Sequence, residues 1–264
     1  MKAEAESTRS ATQLLAGRHA LVTGGSRGIG AAITRALVAH GARVTITGRD
    51  QKRLAQAAHD FGAEFVVGDV TDQGAVQHAF ESATKLFGRV EILVNNAGQA
   101  TSASFLKTEV ELWRRMLTVN LDGTFYFTRA ALPGMLEAGW GRIVNVASTA
   151  ALVGYAYVSA YCAAKHAVVG LTRALANEVA TKGVTVNAVC PGYTDTDMVR
   201  DSVEKIREKT GKTKDAIVAE LTSRNPQKRL ILPEEAANAV VWLCLPGSEA
   251  INGQAIVVAG GEVM

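Results

Sequence analysis

Short runs of consecutive apolar residues alternate along this chain with longer stretches in which apolar side chains return every three or four positions. Strands buried on both faces read as the former and amphipathic helices as the latter. Strands are accordingly expected at His19–Thr23, Arg43–Thr47, Glu64–Val67, Glu91–Val94, Arg142–Ala147, Thr185–Val189 and Gln254–Val258. Helices are expected between them at Gly28–His40, Gln51–Phe61, Asp72–Phe87, Glu109–Glu137, Tyr157–Thr181 and Pro233–Leu243. The fourth should break or bend near Leu132-Pro133, because a prolyl nitrogen cannot donate to the helical ladder. Val- and Ile-rich strands alternating with amphipathic helices specify an α/β fold: a doubly wound parallel sheet of about seven strands with helices on both faces.

One stretch departs from this rhythm. Thr194 to Asn225 has no strand signal and mixes Arg200, Lys205, Arg207, Lys209, Lys212 and Lys214 with Asp201, Glu204, Glu208, Asp215 and Glu220. It reads as one or two mobile helices whose charges pair at helical spacing. It also follows the carboxyl end of a strand, where doubly wound sheets bind ligands, so residues 194–225 are expected to form a lid. No break in composition divides the remainder. A single domain over 16–264 is expected after a disordered tail at 1–15, which is small and polar with no apolar signal segment.

Composition narrows the function classes. Hydrophobic residues make up 48% of the 264, with 25 glycines, which suits a sizeable core and many tight turns. The net charge is only +3 and the basic residues are interleaved with acids, so neither nucleic acid nor a membrane surface is indicated as a partner. Three cysteines form an odd set without close spacing, and five histidines are scattered without a pair at ligand spacing. A disulfide framework and a metal site are therefore not expected, and a reducing cytoplasm is.

The chemistry concentrates at strand ends. Tyr161 and Lys165 stand four residues apart in the expected helix and share one face, where an ammonium would lower the pKa of a phenol toward the range useful for proton transfer. A surface lysine packed over a core tyrosine would read the same way. Thr23 to Gly30 joins the first strand to the first helix with a Gly-x-x-x-Gly-x-Gly turn, in which backbone amides and the helix dipole can cradle a diphosphate, although a plain glycine turn is also compatible. The second strand ends in Gly48-Arg49 rather than in an acid. With Arg27 nearby, a ribose 2′-phosphate could be gripped from two sides, unless both arginines are only solvated surface charges. Asp50 reads as a helix N-cap. Asn95 to Gly98 closes the fourth strand and Ser148 the fifth. A serine hydroxyl beside the phenol could polarise a substrate carbonyl, or could be a turn residue.

Taken together, these residues resemble the short-chain dehydrogenase/reductase family over about Gly17 to Gly261, with Asp69, Asn120 and Pro191-Gly192 also in the family's order and spacing. The resemblance implies a Rossmann-like catalytic domain with Tyr161 as acid or base, Ser148 on the substrate oxygen, Lys165 on Tyr161 and the nicotinamide ribose, and Asn120 supporting a proton-relaying water. It implies cofactor contacts from Gly24, Ser26, Arg27, Gly28, Ile29, Gly30, Arg49, Asp69, Val70, Asn96, Ala97, Gly98, Pro191, Gly192, Thr194 and Thr196. The expected substrate pocket includes Gln99, Leu152, Tyr155, Tyr157, Tyr193 and Met198, with Ser148 and Tyr161.

Around Arg129 to Ser148 the chain resembles 3-hydroxybutyrate dehydrogenases. It lacks a histidine shortly after Ser148 and has Val158 where that group's carboxylate-gripping lysine is expected, which implies no grip on a free carboxylate. Around Val184 to Met198 it resembles 3-oxoacyl-thioester reductases and polyketide ketoreductases. The implied activity is hydride transfer between NADP(H) and a bulky apolar ketone or 3-oxoacyl thioester, in a homotetramer. An NAD-dependent dehydrogenase of a cyclic or aromatic secondary alcohol is the enzyme alternative. A catalytically silent nucleotide-sensing regulator is the alternative of another class, and it would not need Tyr161, Lys165 and Ser148 together.

Overall fold

The computed structural model describes residues 13–264. Seven strands form at β1 (His19–Thr23), β2 (Arg43–Gly48), β3 (Glu64–Val67), β4 (Ile92–Asn95), β5 (Gly141–Val146), β6 (Val184–Pro191) and β7 (Ala255–Val258). All are parallel, in the order β3-β2-β1-β4-β5-β6-β7. The order reverses between β1 and β4, which opens a crevice beyond their carboxyl ends.

Nine α-helices lie among the described residues: α1 (Gly28–Ala39), α2 (Gln51–Phe61), α3 (Gln73–Phe87), α4 (Val110–Leu117), α5 (Gly123–Ala138), α6 (Ser159–Val179), α7 (Asp197–Thr210), α8 (Lys214–Leu221) and α9 (Pro233–Cys244). The alternation of side chains along a strand sorts the core into two layers. Val22, Ile46, Val94 and Val144 pack with Ile33 and Leu37 of α1, Leu54 of α2 and Val240 of α9 on one face. Leu21, Leu93, Ile143 and Val186 pack with Val76 of α3, Phe127 and Met135 of α5 and Leu175 of α6 on the other. Asp50 caps α2 by accepting from the Arg53 amide at 3.0 Å, as its position after the second strand implied.

Three features differ from the sequence reading. The long fourth helix is interrupted at a π-helical turn, Thr118–Asp122, and not at Pro133, which lies inside α5. The cause is the Asn120 side chain: its amide donates to the carbonyls of Met116 and Gln99, both at 2.9 Å, while the Gly123 N–H reaches back to the Thr118 carbonyl. The first twelve residues of the expected tail lie outside the described residues, but Leu15 is 1% exposed in the core and its amide bonds the His40 carbonyl. Leu15, expected in the tail, thus belongs to the folded domain. Finally, α6 starts at Ser159, because Tyr157 takes a left-handed φ of 67°.

The stretch after β6 forms two helices, α7 and α8, whose charges pair locally: Arg200 with Asp195 and Asp197, Arg207 and Lys214 with Glu204, and Lys212 with Glu220. Among the described residues no helix is long and apolar enough to cross a membrane.

Candidate active site

A cleft of about 1020 Å³ runs along the carboxyl ends of the strands. At one end β1 gives way to the glycine turn. Gly24 and Gly28 adopt φ of +66° and +52°, and a Cβ on Gly30 would stand 2.2 Å from the Gly24 carbonyl oxygen, so only glycine fits where α1 meets the turn. Thr23 Oγ1 accepts from the amides of Asn96 and Ala97, and Asn96 Nδ2 donates to the Thr23 and Gly24 carbonyls. These bonds tie β1 to β4 across the reversal of strand order. No side chain caps α1, no acid occupies its first turn, and its first intrahelical bond comes from the Ala31 amide. Uncapped amides at the positive end of a helix dipole, faced by bare backbone, fit a dinucleotide diphosphate.

Beyond β2, the Arg49 guanidinium is 65% exposed and lies 3.7 Å from an oxygen of Asp69. Burial alone would raise the Asp69 pKa, but the amide and hydroxyl of Thr71 donate to this carboxylate at 2.9 and 2.8 Å, and with Arg49 they hold it below its usual range. Arg53 also borders the cleft. The sequence reading missed both Thr71 and Arg53. The Asp69-Val70-Thr71 spacing, suited to a carboxylate that bonds the backbone two residues on, signals the first. The second stands four positions after Arg49.

Ser148 ends the loop after β5 and caps a short helical turn, Thr149–Ala151, its Oγ accepting from the Ala150 amide at 3.1 Å. The Ser148 side chain also neighbours the Tyr161 phenol. Burial pushes that phenol up to about 12, and Ser148 acts to lower it. Lys165, 4% exposed, donates to the Val146 carbonyl at 2.8 Å, with Nζ 5.8 Å from the Tyr161 ring centre, and burial brings its pKa down to about 8. The Tyr161 pKa thus stands above its ordinary value, the reverse of the lowering expected from a neighbouring ammonium, because desolvation of the phenol dominates. A Cβ on Gly98 would stand 2.8 Å from Asn120 Oδ1 and 3.6 Å from Lys165 Nζ, so bare backbone at Gly98 lets these two residues approach one another. Asn120 is fully buried, and its amide is engaged with backbone on both sides.

Every residue expected to contact cofactor borders the cleft, as do Asn120, Ser148, Gln99, Tyr155, Tyr157, Tyr193 and Met198. Leu152 does not. It follows the Thr149–Ala151 turn and packs inward against the cluster of Ala147, Ala151 and Val168. Val199, Ser202 and Ile206 of α7 and Leu221 of α8 also border the cleft. Tyr155 and Tyr193 meet edge to face at 6.3 Å, and the Tyr155 hydroxyl lies 2.5 Å from Glu262 Oε1. No signal in the sequence pointed to Glu262.

A family model described as short chain dehydrogenase matches residues 18–207. The chain is 37% identical over 256 residues to the D-beta-hydroxybutyrate dehydrogenase of Cupriavidus necator, covering 95% of this chain and 99% of that one. It is 36% identical over 253 residues to the 3-oxoacyl-(acyl-carrier-protein) reductase of Aquifex aeolicus, covering 94% and 98%. Among solved structures, a variant of the actinorhodin polyketide ketoreductase with NADPH superposes with a TM-score of 0.89 at 36% identity, covering 93% of this chain and 97% of that one. With a matching family model, relatives aligned along nearly their whole length and the strand-end cleft in place, the chain belongs to the short-chain dehydrogenase family and is an oxidoreductase acting on CH–OH and ketone groups.

Proposed function

We propose that this protein reduces a bulky apolar ketone or 3-oxoacyl thioester to the secondary alcohol with NADPH. The observation that carries the reading is the Ser148–Tyr161 hydroxyl pair beside buried Lys165, in one cleft with an uncapped glycine turn. The α1 amides, Asn96 to Gly98, Asp69 and Pro191 to Thr196 would hold the dinucleotide. NADPH supplies the hydride when bound. Ser148 Oγ donates to the substrate oxygen and fixes the carbonyl, and the Tyr161 phenol gives its proton to that oxygen as negative charge develops on it. Lys165 holds the nicotinamide ribose and stabilises the resulting phenolate, and Asn120 supports the path by which the phenol regains a proton. The part of the cleft bordered by Tyr155, Tyr193 and Met198 favours an apolar substrate, and α7 with α8 would close over it as a lid.

The choice of NADPH rests on Arg49, Arg27 and Arg53 bordering the cleft with no carboxylate at Gly48, and is supported by the NADPH in the actinorhodin relative. Specificity constants for NADPH and NADH, measured across a panel of ketones and acyl thioesters, test it. Arg49→Ala is expected to lower the NADPH/NADH ratio about tenfold or more, since a charge-assisted bond is worth roughly 1.5 to 3 kcal/mol. NADH preferred tenfold by the wild type would make the NAD-linked alcohol dehydrogenase the better reading.

Association through the helices around Asn120, α4 and α5, and the Tyr161 helix α6 is part of the same reading; Val110, Trp113 and Phe125 expose large apolar surface on α4 and α5. Light scattering should give the mass of a homotetramer, and Phe125→Glu should lower it. A monomeric wild type would remove this part of the proposal.

A further inference from the structure

The C-terminal turn brings a carboxylate behind two residues that border the cleft, Tyr155 and Gly192. Gly260 and Gly261 take φ of +61° and +91°, and a Cβ on Gly260 would stand 2.4 Å from Asn225 Oδ1. Asn225 is buried, its Oδ1 accepting from the Gln227 amide and its Nδ2 donating to the Arg229 carbonyl. The turn is therefore seated on a fixed support just beyond α8. It delivers Glu262, with Oε1 2.5 Å from the Tyr155 hydroxyl and Oε2 close enough to Gly192 that a Cβ there would stand 2.8 Å away. Tyr155 and Gly192 both border the cleft.

The Tyr155 hydroxyl also lies 2.9 Å from Thr149 Oγ1, and a phenol has one proton. With Tyr155 donating to the Glu262 carboxylate, the Thr149 hydroxyl can donate to Tyr155 in turn. Among the described residues no cation lies within 4 Å of the Glu262 carboxylate. The Arg224 guanidinium lies over the Tyr155 ring, 5.7 Å from its centre, and it and Glu262 act on Tyr193 in opposite senses.

We propose that Glu262 is a specificity-determining residue: its fixed negative charge behind Tyr155 and Gly192 rejects ketones that carry a free carboxylate near the reacting carbonyl and admits neutral ones. This rests on ketone reduction as assigned above, and it supplies a repulsive element in addition to the missing cationic grip.

The test compares kcat/KM for acetoacetate and for its ethyl ester in the wild type, Glu262→Gln and Glu262→Ala. The acid/ester ratio should rise on the order of tenfold or more in both variants, because two like charges separated by a few ångströms of partly desolvated protein repel strongly. In the wild type, raising ionic strength from about 0.02 to about 0.5 M should raise the same ratio by about twofold, since salt screens partly buried charges less than exposed ones. That measurement decides the matter should the variants not fold. A ratio that moves less than threefold in the folded variants, or a flat salt response where the variants cannot be made, overturns the role of Glu262 alone. If the wild type reduces neither these ketones nor any in the panel with either cofactor, the reading of the site falls and this inference with it.

Discussion

Tyr161→Phe is expected to lower kcat for ketone reduction by a factor on the order of 10² to 10⁴, the usual contribution of a positioned acid or base. The ring remains, so the fold should survive. Loss of one hydroxyl should cost no more than about 1 kcal/mol, or a melting temperature lower by at most roughly 2 to 4 °C. The pH behaviour follows from the environment of the phenol. With its pKa pushed up to about 12, Tyr161 keeps its proton through the neutral and mildly alkaline range. Reduction, which consumes that proton, should show no alkaline loss from Tyr161 below about pH 10. Alcohol oxidation needs the phenolate and should accelerate with rising pH, by up to about tenfold per pH unit, until the phenol ionises. Bound cofactor would shift the midpoint, but the opposite response of the two directions should persist in the wild type and vanish in the variant. A folded Tyr161→Phe enzyme with kcat within threefold of wild type would sink the role assigned to the phenol.

The second large effect concerns Lys165, where activity and stability should move in opposite directions. Burial has brought its pKa from 10.5 to about 8. Below pH 8 the lysine is charged both folded and unfolded, and the folded protein bears the full cost of the buried ammonium. Between about 8 and 10.5 the unfolded chain still holds the proton that the folded chain has released, so stability rises with pH. Above that range both forms are neutral. The fall in pKa corresponds to roughly 3 kcal/mol. Lys165→Met removes this cost and leaves the Val146 carbonyl without its donor, a loss of about 1 kcal/mol. The cofactor-free variant should therefore be more stable at pH 7 by about 2 kcal/mol, a melting temperature higher by roughly 4 to 8 °C. Its advantage should shrink as pH rises from 8 toward 10.5, while NADPH affinity falls by on the order of tenfold or more. Urea titrations at pH 7 and 10 with a fluorescence titration of NADPH check this. A variant less stable than wild type at pH 7 would show that the ammonium is not buried at a cost.

What the sequence by itself determined is local. The parallel sheet was legible because runs such as Leu21-Val22 and Leu93-Val94 must bury alternate residues on opposite faces, and both core layers bear this out. Asp50 was readable as a cap because capping acts over three residues. Tyr161 and Lys165 were readable as a pair because a helix places such positions on one face.

The tertiary structure decided whatever depends on residues far apart in the chain. The π-helical turn at Asn120 arises because its amide reaches Gln99, on a loop after another strand, so Pro133 was the wrong place to look. Leu152 turns inward because a cluster from three elements receives it, and Glu262 meets Tyr155 across 107 positions of sequence. The Tyr161 pKa was misread for the same reason. A neighbouring lysine is visible at spacing four, but desolvation sums over every group that excludes water from the phenol, and those groups are assembled only when the sheet, α6 and the loops come together.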